Sequence, residues 1–163
     1  MKPLVPILMG SGRDLDRGKA IAKHLEKFGL ESEIRVCSAH KTPEHALNIL
    51  KAYEADGRPK VYVTIAGRSN ALSGFVDGQV KAPVVGCPPL SADYAGIDVW
   101  STLRMPSGVA PATVLEPEAT ALLCAKMLAL AVPGLADKVG DYQQRMRKEV
   151  TESDAGLRPA EVG

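Results

Sequence analysis

Short apolar runs and amphipathic segments alternate along the chain from the N-terminus to about residue 87. Leu4 to Met9 is an apolar run that ends in Gly10-Ser11-Gly12-Arg13-Asp14, the pattern of a buried strand entering a loop. Pro6 is unusual in such a run, because a proline removes a donor from a central strand. From Asp14 to Phe28 the apolar residues Ile21, Leu25 and Phe28 recur at i, i+4 and i+7, and Gly29 follows where a helix C-terminal cap belongs. Glu33 to Cys37 alternates charged and apolar side chains, predicting a second strand that runs into Ser38-Ala39-His40-Lys41. Thr42-Pro43 then reads as a hydroxyl cap followed by a proline at the first helical position.

The alternation continues with a third strand at Lys60–Ile65, a loop at Ala66-Gly67-Arg68-Ser69-Asn70, a helix over Leu72–Val80 and a fourth strand at Ala82–Cys87. Beyond Cys87 the chain is irregular and rich in Pro, Ser and Gly, with one short helix expected at Asp98–Leu103 and room for a lid or a subunit contact. Glu116–Ala131 is a helix more apolar than the outer helix of a monomer needs to be, which points to oligomer packing. A further helical piece is expected at Asp141–Val150, with the segment from Thr151 loosely held. Strands alternating with helices imply right-handed βαβ units, and hence a three-layer αβα sandwich whose parallel sheet is covered on both faces. The polar clusters all follow strand C-termini. Ligands bind there in open α/β sheets, so the loops after the first three strands should converge.

At 163 residues, 45% apolar and 24% charged, the chain can bury one core of roughly two thirds of its unfolded surface. Twenty basic and nineteen acidic side chains nearly cancel, and no basic stretch is dense enough to neutralise a nucleic-acid backbone. Cys37, Cys87 and Cys124 form no CxxC pair, which argues against a metal cluster or disulfide framework and for a reducing cytoplasm. The apolar stretches near the N-terminus and at Leu122–Val132 are too short to span a bilayer, so no membrane role is expected.

Of the nucleotide motifs, the dinucleotide fingerprint fails because Leu15 stands where its third glycine belongs. A Walker loop fails as well: Gly12 to Gly18-Lys19 is one residue too long, and Ala20 replaces the required hydroxyl. The first loop is then either a plain tight turn or a cradle presenting Ser11, backbone amides and Asp14 to a ribose phosphate. His40 is the histidine placed in a polar strand-to-helix loop, whereas His24 and His45 fall within predicted helices. An imidazole exchanges protons near neutrality, so His40 is the acid/base candidate, its alternative being a side chain that caps its own loop. No second ligand stands at metal spacing beside it. Cys87, before Pro88-Pro89, reads as a small buried residue shaping its loop rather than as a nucleophile.

Met9-Gly10-Ser11 with Asp14, Ser38-Ala39-His40-Lys41, Ala66-Gly67-Arg68-Ser69-Asn70, Cys87-Pro88-Pro89, Asp98-Val99-Trp100-Ser101 and Leu103-Arg104-Met105-Pro106-Ser107-Gly108 together resemble the 5-aminoimidazole ribonucleotide carboxylase family of purine biosynthesis. The resemblance runs from about residue 4 to 131. It implies a flavodoxin-like fold, with residues 1–150 as a single domain and 151–163 as a tail. Mutases of the family usually carry Ser-Ala-His-Arg and Gly-Gly-Ala-Ala-His; Lys41 and Arg68-Ser69-Asn70 are instead similar to the branch that uses carbon dioxide directly. The implied reaction is reversible carboxylation at imidazole C4 of 5-aminoimidazole ribonucleotide (AIR), giving its 4-carboxy derivative without ATP, biotin or metal. His40 would remove the C4 proton, Gly67, Arg68, Ser69, Asn70 and Lys41 would face the new carboxylate, Ser11, Ser38 and Lys41 the phosphate, and Asp14 the ribose. Lys41 stays open between carboxylate and phosphate. The resemblance also implies a homo-oligomer, an octamer or tetramer, with the site shared between subunits. One departure stands out: Arg13 replaces the second serine of the family's first loop.

Overall fold

The computed structural model describes residues 1–157, apart from the side chain of Tyr94. Its elements in chain order are β1 (Leu4–Met9), a 3-10 turn (Gly12–Asp14), α1 (Leu15–Glu26), β2 (Glu31–Val36), α2 (Pro43–Ala55), β3 (Tyr62–Ile65), α3 (Ala71–Asp77), β4 (Val84–Gly86), a 3-10 segment (Asp93–Thr102), β5 (Ala112–Thr113), α4 (Pro117–Ala129) and α5 (Leu135–Leu157). The strands form one five-stranded sheet in the order β2-β1-β3-β4-β5, and every pair is parallel. This is the flavodoxin-like order, whose direction of winding reverses between β1 and β3.

Both faces of the sheet are covered, which is why β1 reads as an unbroken apolar run rather than an alternating one. Val5, Ile7, Met9, Val63, Ile65 and Val85 pack into one core with α1, α4 and α5, while Leu4, Leu8, Tyr62 and Val84 join α2 and α3 in the other. The edge strand β2 carries Glu31, Glu33 and Arg35, charges that discourage pairing with another sheet.

Pro6 leaves a visible mark. Leu4 donates to the carbonyl of Pro59 and accepts from the amide of Val61, and Gly10 donates to Ile65, so the even-numbered residues of β1 face β3. Pro6 faces the same way without a donor. The ladder is accordingly broken between the isolated bridge Leu4↔Lys60 and the register Ile7↔Val63, and β3 begins at Tyr62 rather than Lys60.

The end of α1 follows its sequence signal. Gly29 adopts φ +71°; its amide donates to Glu26 and that of Leu30 to Leu25, the paired bonds of a Schellman cap. Gly29→Ala is expected to destabilise the protein by roughly 1 kcal/mol, because a Cβ is disfavoured at this φ. A lowered urea midpoint at unchanged slope would register the loss.

Several expectations change. Thr42 precedes α2, with Pro43 in its first turn, but its hydroxyl makes no cap bond to that helix. β5 was invisible because a two-residue strand shows no periodicity. α5 runs from Leu135 to Leu157 instead of Asp141 to Val150; the first part of the segment read as a tail is therefore helical, and residues 158–163 lie outside the described residues. Leu135, Val139 and Tyr142, at i, i+4 and i+7 of α5, are buried over α4. The apolar surface of α4 is thus covered by the chain itself and does not require a second subunit. The large exposed apolar side chains Leu90, Ile97, Trp100 and Leu103 lie in and beside the 3-10 segment, which spans Asp93–Thr102 rather than starting at Asp98. No helix among the described residues is long and apolar enough to cross a membrane.

Candidate active site

The loops following β1, β2 and β3 and the start of the 3-10 segment enclose an open cleft of about 830 Å³ at the C-terminal edge of the sheet. It spans the reversal between β1 and β3, where the geometry of the sheet leaves room for a ligand. Ser11, Asp14, Ser38, His40, Lys41, Gly67, Arg68 and Ser69 all line it. Asn70 does not.

In the first loop the Ser11 hydroxyl oxygen accepts from the amide of Arg13, leaving its O–H to donate outward. Asp14 sits at the N-terminus of α1 but makes no side-chain bond to that helix. Its carboxylate is therefore available to accept from hydroxyls in the cleft. Burial pushes the Asp14 carboxyl above its usual range, and the Arg17 guanidinium pulls it back.

The second loop is clamped from within. The Ser38 hydroxyl oxygen accepts from the Lys41 amide, and the Thr42 hydroxyl accepts from the Ser38 amide and donates to its carbonyl. These bonds draw residues 38–42 into a tight turn that puts His40 at the cleft wall. Thr42 is turned back onto the loop and Pro43 has no N–H, so the first turn of α2, which follows the cleft residue Lys41, carries no side-chain cap. The amides of such a turn favour an anion.

Asn70 is buried and committed elsewhere. Its side-chain oxygen caps α3 by accepting from the Ser73 amide, and its nitrogen donates to the hydroxyls of Ser73 and Thr102. Thr64 Oγ1 completes this buried network at 2.7 Å from Ser73 Oγ. Ser101 holds the same loop from above: its hydroxyl accepts from the Asn70 amide, and its one proton faces the carbonyls of Asp98 at 2.8 Å and Arg68 at 3.3 Å. Arg68 itself has φ +59°, a left-handed conformation that costs a non-glycine residue about 1–3 kcal/mol and persists where the surroundings enforce it. Ser101 and Asn70 are that enforcement, and the result is an exposed guanidinium at the rim of the cleft.

A Cβ on Gly67 would fall 2.9 Å from Pro89 Cγ. Gly67→Ala is therefore expected to push Pro89 outward and raise KM several-fold at nearly constant kcat, since the displaced groups bind rather than react. Steady-state kinetics on the variant would detect this.

The family model described as AIR carboxylase matches residues 4–149. The chain belongs to the AIR carboxylase family. Among curated relatives, the phosphoribosylaminoimidazole carboxylase of Treponema denticola is 52% identical over 158 residues, covering 97% of this chain and 99% of the relative. That of Archaeoglobus fulgidus is 50% identical over 152 residues, 93% and 83% respectively. The crystal structure of Treponema denticola PurE superposes with a TM-score of 0.95 at 52% identity, covering 97% of this chain and all of that one.

Within this AIR carboxylase fold, sequence reasoning missed the contribution of the chain after β4. Pro89, Ser91, Asp93 and Asp98 also line the cleft, and Ser101 and Thr102 hold the β3–α3 loop. The Asp98–Ser101 motif carried a signal, but its irregular backbone gave no periodicity from which to place it. Arg13 lines the cleft as well, so the basic groups Arg13, Lys41 and Arg68 face the acidic Asp14, Asp93 and Asp98 within one site.

Proposed function

We propose that this protein carboxylates AIR at C4 with carbon dioxide, reversibly and without ATP. The observation that carries this reading is the convergence of His40 with a serine–aspartate loop and an arginine–serine loop on one cleft, in a chain of the AIR carboxylase family. The exocyclic amine of AIR makes C4 enamine-like. Its electron pair attacks the carbon of carbon dioxide, forming the C–C bond and moving a pair onto a carboxylate oxygen. His40 then takes the proton from the tetrahedral C4, and the C–H electrons restore the aromatic ring. Carbon dioxide needs placement more than activation, so the chain contributes chiefly orientation and electrostatic stabilisation.

The amide of Gly67, with Arg68 and Ser69, would receive the new carboxylate. Ser11, Ser38 and the open amides of α2 would hold the phosphate, and Asp14 the ribose. Lys41 also lines the cleft and would meet one of the two anions, the new carboxylate or the phosphate. Use of carbon dioxide rather than the N5-carboxylated compound rests on Lys41 and Arg68-Ser69-Asn70, the residues that set this chain apart from the mutase pattern.

The cleft is open to one side, and Leu90, Ile97 and Trp100 stand exposed in and next to the segment that walls it. Covering by another copy would bury them and exclude water, which supports a homo-oligomer with shared sites; its size, an octamer or tetramer, and its place in the cytoplasm follow from the family reading alone. The deciding experiment supplies AIR and bicarbonate-derived carbon dioxide with no ATP. Saturable formation of the 4-carboxy product supports the proposal. Conversion of only the N5-carboxylated compound would assign the chain to the mutases, and binding of AIR with turnover of neither would make it a binding module.

A further inference from the structure

We propose that Arg17 is a positioning residue for this site, acting from behind the cleft by fixing the Pro88-Pro89 loop against Gly67. The inference rests on the AIR-binding reading above and assigns a role to a side chain that does not itself line the cleft. Arg17 lies in the first turn of α1. Its Nε donates to the Cys87 carbonyl at 3.2 Å and its Nη2 to the Pro88 carbonyl at 3.1 Å and to the Leu115 carbonyl. One planar guanidinium thus ties α1 to the chain leaving β4 and to the chain entering α4.

The sequence explains why this arrangement needs an arginine. Pro88 and Pro89 have no N–H, so this loop cannot be anchored by its own amides. Its carbonyls remain, and a half-buried guanidinium with donors in a fixed fork is suited to holding several of them at once. Among the described residues Arg17 makes no ion pair, so these carbonyls are its bonded partners. The constraint reaches the site directly: Pro89 lines the cleft and its ring abuts Gly67 closely enough that a Cβ there would sit 2.9 Å from Cγ. Arg17 therefore sets how close the Pro89 wall stands to the β3–α3 loop.

Arg17 also follows Asp14 by three residues, the spacing that puts two side chains on one helix face. Its charge opposes the upward push of burial on the Asp14 carboxyl. The other charged or titratable groups that face this carboxyl across the cleft are Arg13 from its own turn, His40 and Lys41 from the β2–α2 loop, Arg68 from the β3–α3 loop, and Asp93 and Asp98 from the 3-10 segment. Removing the Arg17 charge lets the carboxyl rise further. The ionised form that accepts ribose hydroxyls is then lost at a higher pH as the solution is acidified.

The test compares wild type, Arg17→Lys and Arg17→Met by calorimetric binding of AIR across pH, by turnover and by thermal melting. Arg17→Met should weaken AIR binding roughly tenfold, equivalent to about 1.4 kcal/mol, and move the acid limb of binding to higher pH. Arg17→Lys keeps the charge but not the fork, so it should retain the wild-type acid limb while still binding more weakly. Unchanged affinity and acid limb in both variants, whatever happens to the melting temperature, would overturn the role. Wild type that binds AIR without turnover would overturn the carboxylase reading alone and leave Arg17 judged by affinity; wild type that does not bind AIR would overturn both.

Discussion

Exchanging His40 for asparagine is expected to reduce carboxylation by roughly 10²- to 10⁴-fold, the range that a positioned acid/base supplies, while AIR affinity stays within a few-fold of wild type. Asparagine keeps a polar side chain of similar reach but cannot take a proton. The loop should survive the change, because its shape is set by the bonds among Ser38, Lys41 and Thr42 rather than by the imidazole. The loss should therefore fall on kcat and kcat/KM together, the signature of a group that acts in the transition state. Single-turnover kinetics beside calorimetric binding would separate the two. A variant that loses affinity in proportion to rate would instead make His40 a binding residue.

The second large effect concerns stability. Asn70→Ala removes the cap of α3 and leaves the buried hydroxyls of Ser73 and Thr102 short of a partner. Loss of such a cap typically costs about 0.5–2 kcal/mol, and an unsatisfied buried polar group roughly 1–3 kcal/mol more. A combined loss of about 2–3 kcal/mol is expected, lowering Tm by roughly 5–10 °C for a domain of this size. Asn70→Asp should keep the cap and lose the donors, landing between wild type and alanine. Unchanged melting with a raised KM would return Asn70 to the group of substrate contacts suggested by its place in the motif.

The fate of Asn70 shows what was legible in the chain and what was not. The alternation of apolar runs and amphipathic segments gave the βαβ order, because strand and helix periods depend on which residues are buried. It also gave the positions of the Ser11, Ser38 and Gly67 loops, since each follows a strand and opens a helix. Which way a side chain turns inside such a loop is decided by partners distant in sequence. Asn70 turns inward because Thr102 and Ser73 wait there, and Thr42 turns back on Ser38 instead of capping α2; neither is written in local spacing. β5 and the Asp93–Thr102 segment escaped for a related reason: their conformation comes from packing on finished neighbours, not from a repeating pattern of their own. The apolar character of α4 was legible but its cover within the chain was not, because Leu135, Val139 and Tyr142 lie in a helix whose remaining surface is polar.

The gap that Pro6 opens between β1 and β3 grades the sheet from end to end. Beside Pro6 the ladder is missing a rung, whereas at the other end Gly10 bonds to Ile65 and Cys37 to Met9 without interruption. Local opening follows the weakest run of hydrogen bonds. The sheet should therefore breathe from the edge remote from the cleft, so that fluctuations relieve strain there while the strand ends bearing the Ser11, Ser38 and Gly67 loops keep their spacing. A proline that looks like a flaw in the first strand thus puts the weakest rung of the β1–β3 ladder away from the strand ends that carry the cleft loops.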